Sequence, residues 1–347
     1  MKEVILQMIH RKYVISAYRD ILNREPENED VIMHHSKNAR NIGELYNNLY
    51  NSPEFMMKNG TYFINNGDLD ESAKDFHSNN NLEKWHGKVY ELPYWFDDNI
   101  DPDSEQYKKN ILKLWSEITN RENYTPGSDE FTPIGGVDAI KRPAFYSTGS
   151  AHEAGKHLMA IGHLLMRSNI KNGDKVLEYG AGFGQTSVAF ARVGAHVDTV
   201  DVNKEFCDAV NDVSRFYDVS LKSHIGEFGY NPSGENNYYD LIFFYECFHH
   251  CLDIKKTILE LRDALKPTGK ILLAGEPIFD EICPILPYPW GIRLDWQNVS
   301  IMRYRGWMEL GFQKDYLFKC FSDAGFYCNV YDDTNSEPAK VYEFTLK

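Results

Sequence analysis

The chain has 347 residues, room for about two domains, and its 42% hydrophobic and 14% aromatic content suits a packed core rather than disorder. Its 37 Lys and Arg against 51 Asp and Glu give a net charge of −14, which opposes a phosphate backbone or an anionic membrane, and no basic run exceeds Lys255-Lys256. No apolar run reaches the ~18 residues of a membrane span, MKEVILQMIHRKYV is too interrupted for a secretion signal, and six cysteines without a C-x-x-C pair suggest reduced thiols in a cytoplasm.

In chain order, residues 1–60 read as a helical module. Val4, Ile5, Met8, Ile9, Tyr13, Ile15, Tyr18, Ile21 and Leu22 follow a helical apolar stripe that breaks at Asn23-Arg-Glu-Pro26. A second helix is expected over 27–40 and a third from Ile42 to Met57, interrupted at Ser52-Pro53. Residues 61–139 are polar with scattered aromatics (Trp85, Tyr90, Tyr94, Trp95, Phe96) and read as a linker and docking segment, with one helix near 104–119. From 140 to 347 the pattern turns to strand–helix alternation, the mark of a parallel sheet covered by helices. Expected strands are Lys175–Glu178, His196–Asp201, Tyr239–Tyr245, Gly269–Ala274 and a last one over Lys340–Leu346. The helices between them are Gln185–Val193, Lys204–Tyr217 and Ile254–Leu265.

After the first strand, Glu178-Tyr-Gly-Ala-Gly-Phe-Gly184-Gln places glycines at 180, 182 and 184 ahead of a helix. Glycine lets the main chain approach a ligand, and the helix start offers free N–H groups. The dinucleotide fingerprint needs its third glycine three residues after the second, and here it comes two after. Glu178 would repel a pyrophosphate but suits an ammonium group. Asp201 ends the next strand, where a carboxylate accepts both hydroxyls of a ribose. An NAD enzyme would also place an acid there.

Glu178-x-Gly180-x-Gly182-x-Gly184, Asp201-Val202, Gly226-Glu227-Phe228 and Leu261-Arg-Asp-Ala-Leu-Lys-Pro-Thr-Gly-Lys-Ile-Leu-Leu273 resemble, in order, the motifs of class I S-adenosylmethionine-dependent methyltransferases. The resemblance implies an α/β, Rossmann-like sheet, mostly parallel with an antiparallel last strand. It further implies S-adenosylmethionine as cofactor, held by Glu178, Gly180, Gly182, Gly184, Gln185, Asp201, Val202, Glu227, Phe228 and Tyr245. The words Ala17-Tyr-Arg-Asp-Ile-Leu-Asn-Arg-Glu-Pro26 and Ser52-Pro-Glu-Phe55 resemble a small helical module appended to bacterial carbohydrate-acting and surface-associated proteins. That resemblance implies a possible glycan-assembly protein partner; a helical cap without function of its own is the alternative.

YECFHHCLD (Tyr245–Asp253) ends the fourth strand, at the sheet edge where α/β enzymes bind ligands. Neighbouring residues of an extended chain point to opposite faces, so His249 and His250 are not expected to hold one metal ion, and no metal is assigned. Cys247 and Cys251 read as core fillers. Methyl transfer to a hydroxyl needs a proton acceptor. The resemblance to small-molecule O-methyltransferases, which carry a histidine base in a leucine–histidine–aspartate–tryptophan word, favours His249, with His250 next and Glu246 as orienter or alternative base. Both histidines capping a helix or closing the pocket is the bland alternative. Ile285-Leu-Pro-Tyr-Pro-Trp-Gly-Ile-Arg-Leu-Asp295 reads as an aromatic lid, and with Gly306-Trp-Met-Glu-Leu-Gly-Phe312 it resembles methyltransferases of bacterial polysaccharide pathways. The expected acceptor is then a sugar hydroxyl met by Tyr146, His152, Glu276, Trp290 and Arg293. N-methylation of an amino sugar or small amine, and a non-catalytic adapter, are the other readings.

Overall fold

The structure, a computed structural model, describes residues 9–39, 42–50, 52, 54–55, 62–134, 141–332 and 336–347. The expected helical positions at 1–8, 40, 51, 53 and 56–57 lie outside these. Two compact units form: residues 1–121 with 281–309, and 122–280 with 310–347. The sequence reading set its boundaries at 60 and 139; the difference arises because 281–309 packs with the segment read as a linker.

In the first unit, helices Arg11–Ala17, Glu29–Asn38 and Ile42–Tyr50 share a core of Val14, Ala17, Ile21, Leu22, Ile32, Leu45 and Leu49. The first helix runs into a π-turn, Tyr18–Leu22, and stops at Asn23 in a left-handed conformation (φ 52°). The Asn28 side chain caps the second helix by accepting from Val31 N (3.0 Å). The remainder of the unit is no linker. Helix Glu105–Thr119, capped by Ser104, buries Tyr107, Ile111, Leu114 and Trp115. Helix Leu69–Ser78 packs against Trp296–Arg305, where the Ser300 hydroxyl donates to Ser72 Oγ (3.0 Å).

The second unit holds a seven-stranded sheet whose strands are, in chain order, β1 Lys175–Tyr179, β2 His196–Asp201, β3 Leu221–Ile225, β4 Tyr239–Tyr245, β5 Leu265–Ala274, β6 Phe326–Tyr331 and β7 Val341–Leu346. Their spatial order is β6-β7-β5-β4-β1-β2-β3. All neighbours from β3 to β5 run parallel, whereas β7 is antiparallel to both β5 and β6. This is the Rossmann-like sheet with an antiparallel last strand that the resemblance implies. The longer helices of the unit are α1 Ala151–Ser168, α2 Gln185–Val193, α3 Lys204–Tyr217, α4 Ile254–Ala264 and α5 Lys314–Asp323. Strand β4, Tyr-Asp-Leu-Ile-Phe-Phe-Tyr, is covered on both faces, which is why its apolar run does not alternate. Among the described residues no helix is long and apolar enough to cross a membrane. The order of strands puts β1 between β4 and β2, so the three loops that follow them converge on one edge.

Candidate active site

The glycine loop opens that edge. Gly180, Gly182 and Gly184 all have positive φ (63°, 50° and 70°). A Cβ on Gly180 would lie 2.8 Å from Cys247 Cβ and Sγ, so the Cys247 side chain packs directly on the bare backbone of the loop. A Gly180→Ala variant is therefore expected to lose about 1–3 kcal/mol of stability, read as a lowered melting temperature together with loss of cofactor binding. Around the Cβ position of Gly182 no atom of the described residues lies within 4 Å, and Gly184 starts helix α2 at half-buried Gln185.

Two carboxyl groups stand beside the loop. Asp201, at the end of β2, accepts from Gly182 N (3.1 Å, Oδ2) and Asn203 N (2.8 Å, Oδ1). Burial pushes its carboxyl above the usual range, against the pull of those two N–H groups and of nearby His250. Glu178 is almost wholly buried, and its carboxylate accepts from the Ser187 hydroxyl on α2. Burial lifts its pKa to about 8, opposed by Ser187 and helped by Asp201. The expectation that Glu178 itself meets an ammonium group is thus modified: its carboxyl is tied to Ser187 and largely protonated near neutrality.

The remaining cofactor candidates line the same edge. Val202 is half-buried beside Asp201. Phe228 packs edge-on against Tyr179 and Phe244 (5.9 and 5.3 Å between ring centroids), while Glu227 is exposed. The Tyr245 hydroxyl shares a hydrogen bond with His157 Nδ1 of α1 (2.6 Å). His157 stacks on Phe145 (4.8 Å, 6°), and burial lowers its pKa. Glu246 is exposed, with φ 53°, and its carboxylate lies 3.6 Å from His157 Nδ1 rather than orienting His249.

Glu276 orients His249 instead. Its carboxylate follows β5 and is fully buried. One oxygen, Oε1, accepts from Cys247 N (2.9 Å) and Phe248 N (2.8 Å); the other, Oε2, accepts from His249 N (3.1 Å) and pairs with His249 Nδ1 (2.8 Å). Burial raises its pKa, but the His249 imidazole and the backbone donors outweigh that and hold it below the usual carboxylate range. Glu276 is therefore a clamp on the turn after β4, not the substrate ligand expected. Sequence reading missed this because a side chain's direction after a strand depends on the neighbouring strand.

The two histidines depart from expectation as well. Phe248–His250 is a 3-10 turn rather than an extended segment, and the His249 and His250 rings lie side by side, 4.4 Å between centroids. The extended-chain argument against a shared ligand does not hold in this geometry. His250 Nδ1 pairs with Glu130 Oε2 at 3.1 Å, a residue that sequence reading left within a linker. Cys247 and Cys251 are buried free thiols: Cys247 Sγ donates to Tyr179 O (3.0 Å) and Cys251 Sγ to Thr257 Oγ1 (3.3 Å).

Of the acceptor candidates, Tyr146 is exposed on the turn Ala144–Thr148, and His152 sits half-buried in the first turn of α1. Its Nε2 is buried without a hydrogen-bond partner among the described residues. Trp290 and Arg293 belong to the first unit and are structural there. The Trp290 indole donates to Pro102 O (2.9 Å) and packs on Tyr107, and Arg293 pairs with Glu309. The proline- and tryptophan-rich stretch reads like a lid because it is aromatic; in fact those rings build that unit's core.

Open backbone at Gly182, a carboxylate at the β2 end and a helix N-terminus at Gly184 fit the nucleoside and amino-acid parts of S-adenosylmethionine. Fold and site define a methyltransferase, with S-adenosylmethionine as its cofactor. Residues 177–273 match the family model described as "Methyltransferase domain", which spans β1 to β5. No curated protein matches the chain. Similar solved structures include a SAM-dependent methyltransferase from Aquifex aeolicus (17% identity, 53% of this chain and 87% of that one, TM-score 0.39). Another is geranyl diphosphate C-methyltransferase from Streptomyces coelicolor A3(2), solved with Mg2+, geranyl diphosphate and S-adenosyl-L-homocysteine (14% identity, 71% and 100%, TM-score 0.46). An Asp201→Ala variant is expected to bind S-adenosylmethionine about 10–100-fold more weakly, the worth of hydrogen bonds to a charged group, as measured by calorimetry.

Proposed function

We propose that this enzyme methylates a hydroxyl of a sugar or glycan acceptor, as a cytoplasmic step of polysaccharide or surface-glycan biosynthesis, with His249 as general base. The observation that carries the reading is the buried Glu276 carboxylate at 2.8 Å from His249 Nδ1. A carboxylate there keeps the ring proton on Nδ1 and makes Nε2 the basic nitrogen. Bound S-adenosylmethionine supplies the electrophilic methyl group. His249 then takes the acceptor's hydroxyl proton at Nε2 as the oxygen attacks, and Glu276 stabilises the imidazolium that forms. The turn that carries His249 is tied to Glu276 by three backbone N–H groups, so the base is positioned before the acceptor arrives.

Tyr146 and His152 are the residues of the second unit best suited to meet the acceptor: an exposed ring for the apolar face of a sugar, and a buried ring nitrogen lacking a partner among the described residues. Helices Arg11–Ala17, Glu29–Asn38 and Ile42–Tyr50 expose Tyr13, Met33 and Ile42, which suits contact with another protein of glycan assembly. The test is mass spectrometry of a glycan library incubated with the enzyme and isotopically labelled cofactor. Labelled methyl on a sugar oxygen supports the reading. Labelling confined to amino sugars or small amines would replace it with N-methylation, and no transfer with intact cofactor binding would favour an adapter.

A further inference from the structure

The segment Glu122–Ile134 is fastened at both sides of the cofactor loop. On one side Tyr124 OH donates to Glu130 Oε1 (2.8 Å), and Glu130 Oε2 pairs with His250 Nδ1 (3.1 Å) beyond the end of β4. On the other side Asn203 Nδ2 donates to Thr132 O (2.6 Å), and Ile134 N donates to Glu205 Oε2 (3.1 Å), both just after β2. Strands β4 and β2 are the two neighbours of β1, so their ends lie about 10 Å apart across it. The four residue steps from Glu130 to Ile134 reach about 13 Å when extended. Residues 130–134 are thus held to the segments that follow β4 and β2, the two strands flanking β1, whose end carries the glycine loop. Tyr124 is half-buried, and the Glu130 side chain is mostly buried.

We propose that Tyr124, Glu130 and His250 form a clasp that draws residues 130–134 across the nucleoside end of S-adenosylmethionine, with Glu130 as a positioning residue acting through His250. His249 and His250, adjacent in sequence and space, then have separate tasks. Glu276 holds the first for proton transfer, and Glu130 holds the second for cofactor retention. Pro126–Asp129, fixed by Asp129 Oδ2 accepting from Thr125 N (2.8 Å), sets the turn that returns Glu130 beneath Tyr124.

The experiment compares full-length wild type, Glu130→Ala, Glu130→Gln and Tyr124→Phe for cofactor affinity by calorimetry, and for KM of S-adenosylmethionine against kcat. Hydrogen exchange over 122–134 is followed with and without cofactor. In Glu130→Ala the Kd and KM for cofactor should rise about 10-fold, the worth of the hydrogen bond that Tyr124 donates to a charged acceptor, while kcat at saturating cofactor changes little. Glu130→Gln, which keeps an acceptor for Tyr124, should lie between the two. Cofactor should slow exchange over 122–134 in wild type and lose that effect in Glu130→Ala. If Glu130→Ala fails to fold, Tyr124→Phe, which deletes one hydroxyl, decides by the same direction of change. Unchanged cofactor affinity in a folded variant overturns the clasp. So does a fall in kcat at unchanged KM for cofactor, which would make His250 the proton acceptor. Because cofactor binding is read directly, the result is independent of which acceptor the enzyme takes.

Discussion

His249→Ala is expected to bind S-adenosylmethionine like wild type while its kcat toward a hydroxyl acceptor falls about 10²–10⁴-fold, the range of a lost general base. Glu276→Gln should lose much of the same factor. The amide still offers an oxygen to the backbone donors of Cys247 and Phe248, but it cannot stabilise an imidazolium. Because the two side chains act as one unit, the double variant should be scarcely slower than His249→Ala. Single-turnover kinetics with saturating cofactor checks all three. Full turnover of His249→Ala on a hydroxyl acceptor would falsify the base assignment, whereas turnover retained only on amines would point to nitrogen as the natural acceptor atom. Glu276 also predicts an acid limit. Its folded pKa lies below the ordinary carboxylate value, so its stabilising contribution is present above that ordinary value and is lost as pH falls through the folded one. Glu276→Gln should flatten this acid limb in thermal melts.

Glu178 predicts the opposite sign. Its folded pKa, raised to about 8, lies above the unfolded value of about 4.3. The protonated carboxyl is favoured in the fold, and its contribution is complete below the unfolded pKa and lost as pH rises through about 8. A cationic cofactor nearby reverses the preference, since positive charge stabilises the carboxylate. Binding at neutral pH should therefore expel a proton, and affinity should rise with pH up to about 8. Calorimetry in buffers of different ionisation enthalpy measures that proton directly. Glu178→Gln should release none, bind with a flat pH profile, and bind more weakly at pH values where wild type is ionised. Equal proton release by wild type and variant would place the titrating group elsewhere.

How much of this was legible beforehand depended on how local the determining contacts are. Strands β1, β2 and β4 and helices α2 and α3 could be read within a residue or so, because apolar runs and glycine breaks are properties of adjacent residues. Asp201 and the three glycines could be found by spacing alone. Glu276 could be noticed but not understood, since its carboxylate acts on a turn that follows a different strand. Glu130 left no local signal: it sits in a polar stretch, and its partner is reached only once the sheet has formed. The adjacency of His249 and His250 was obscured by one conformational choice, a 3-10 turn in place of an extended segment. Strand β6 and helix α5 went unread, and the grouping of 281–309 with the first unit was hidden because aromatic residues look alike in a lid and in a core.

That grouping has a consequence for synthesis on the ribosome. Each unit is built from two stretches of chain, so neither is complete when the other begins to emerge. The first unit lacks Trp290, Trp296 and Val299 until residue 309 has been made, and the sheet of the second lacks β7, the strand joining β5 to β6, until the last of the described residues. The three N-terminal helices share a core drawn from contiguous residues, but neither unit as a whole can close in the order of synthesis, as it could in a chain whose domains follow one another. Expression fragments ending at 121, 139 or 280 should be insoluble. The cut that respects the architecture is an internal one: residues 281–309 excised from between the two stretches of the second unit, with a short bridge from Asp280 to Leu310, and supplied in trans to the first.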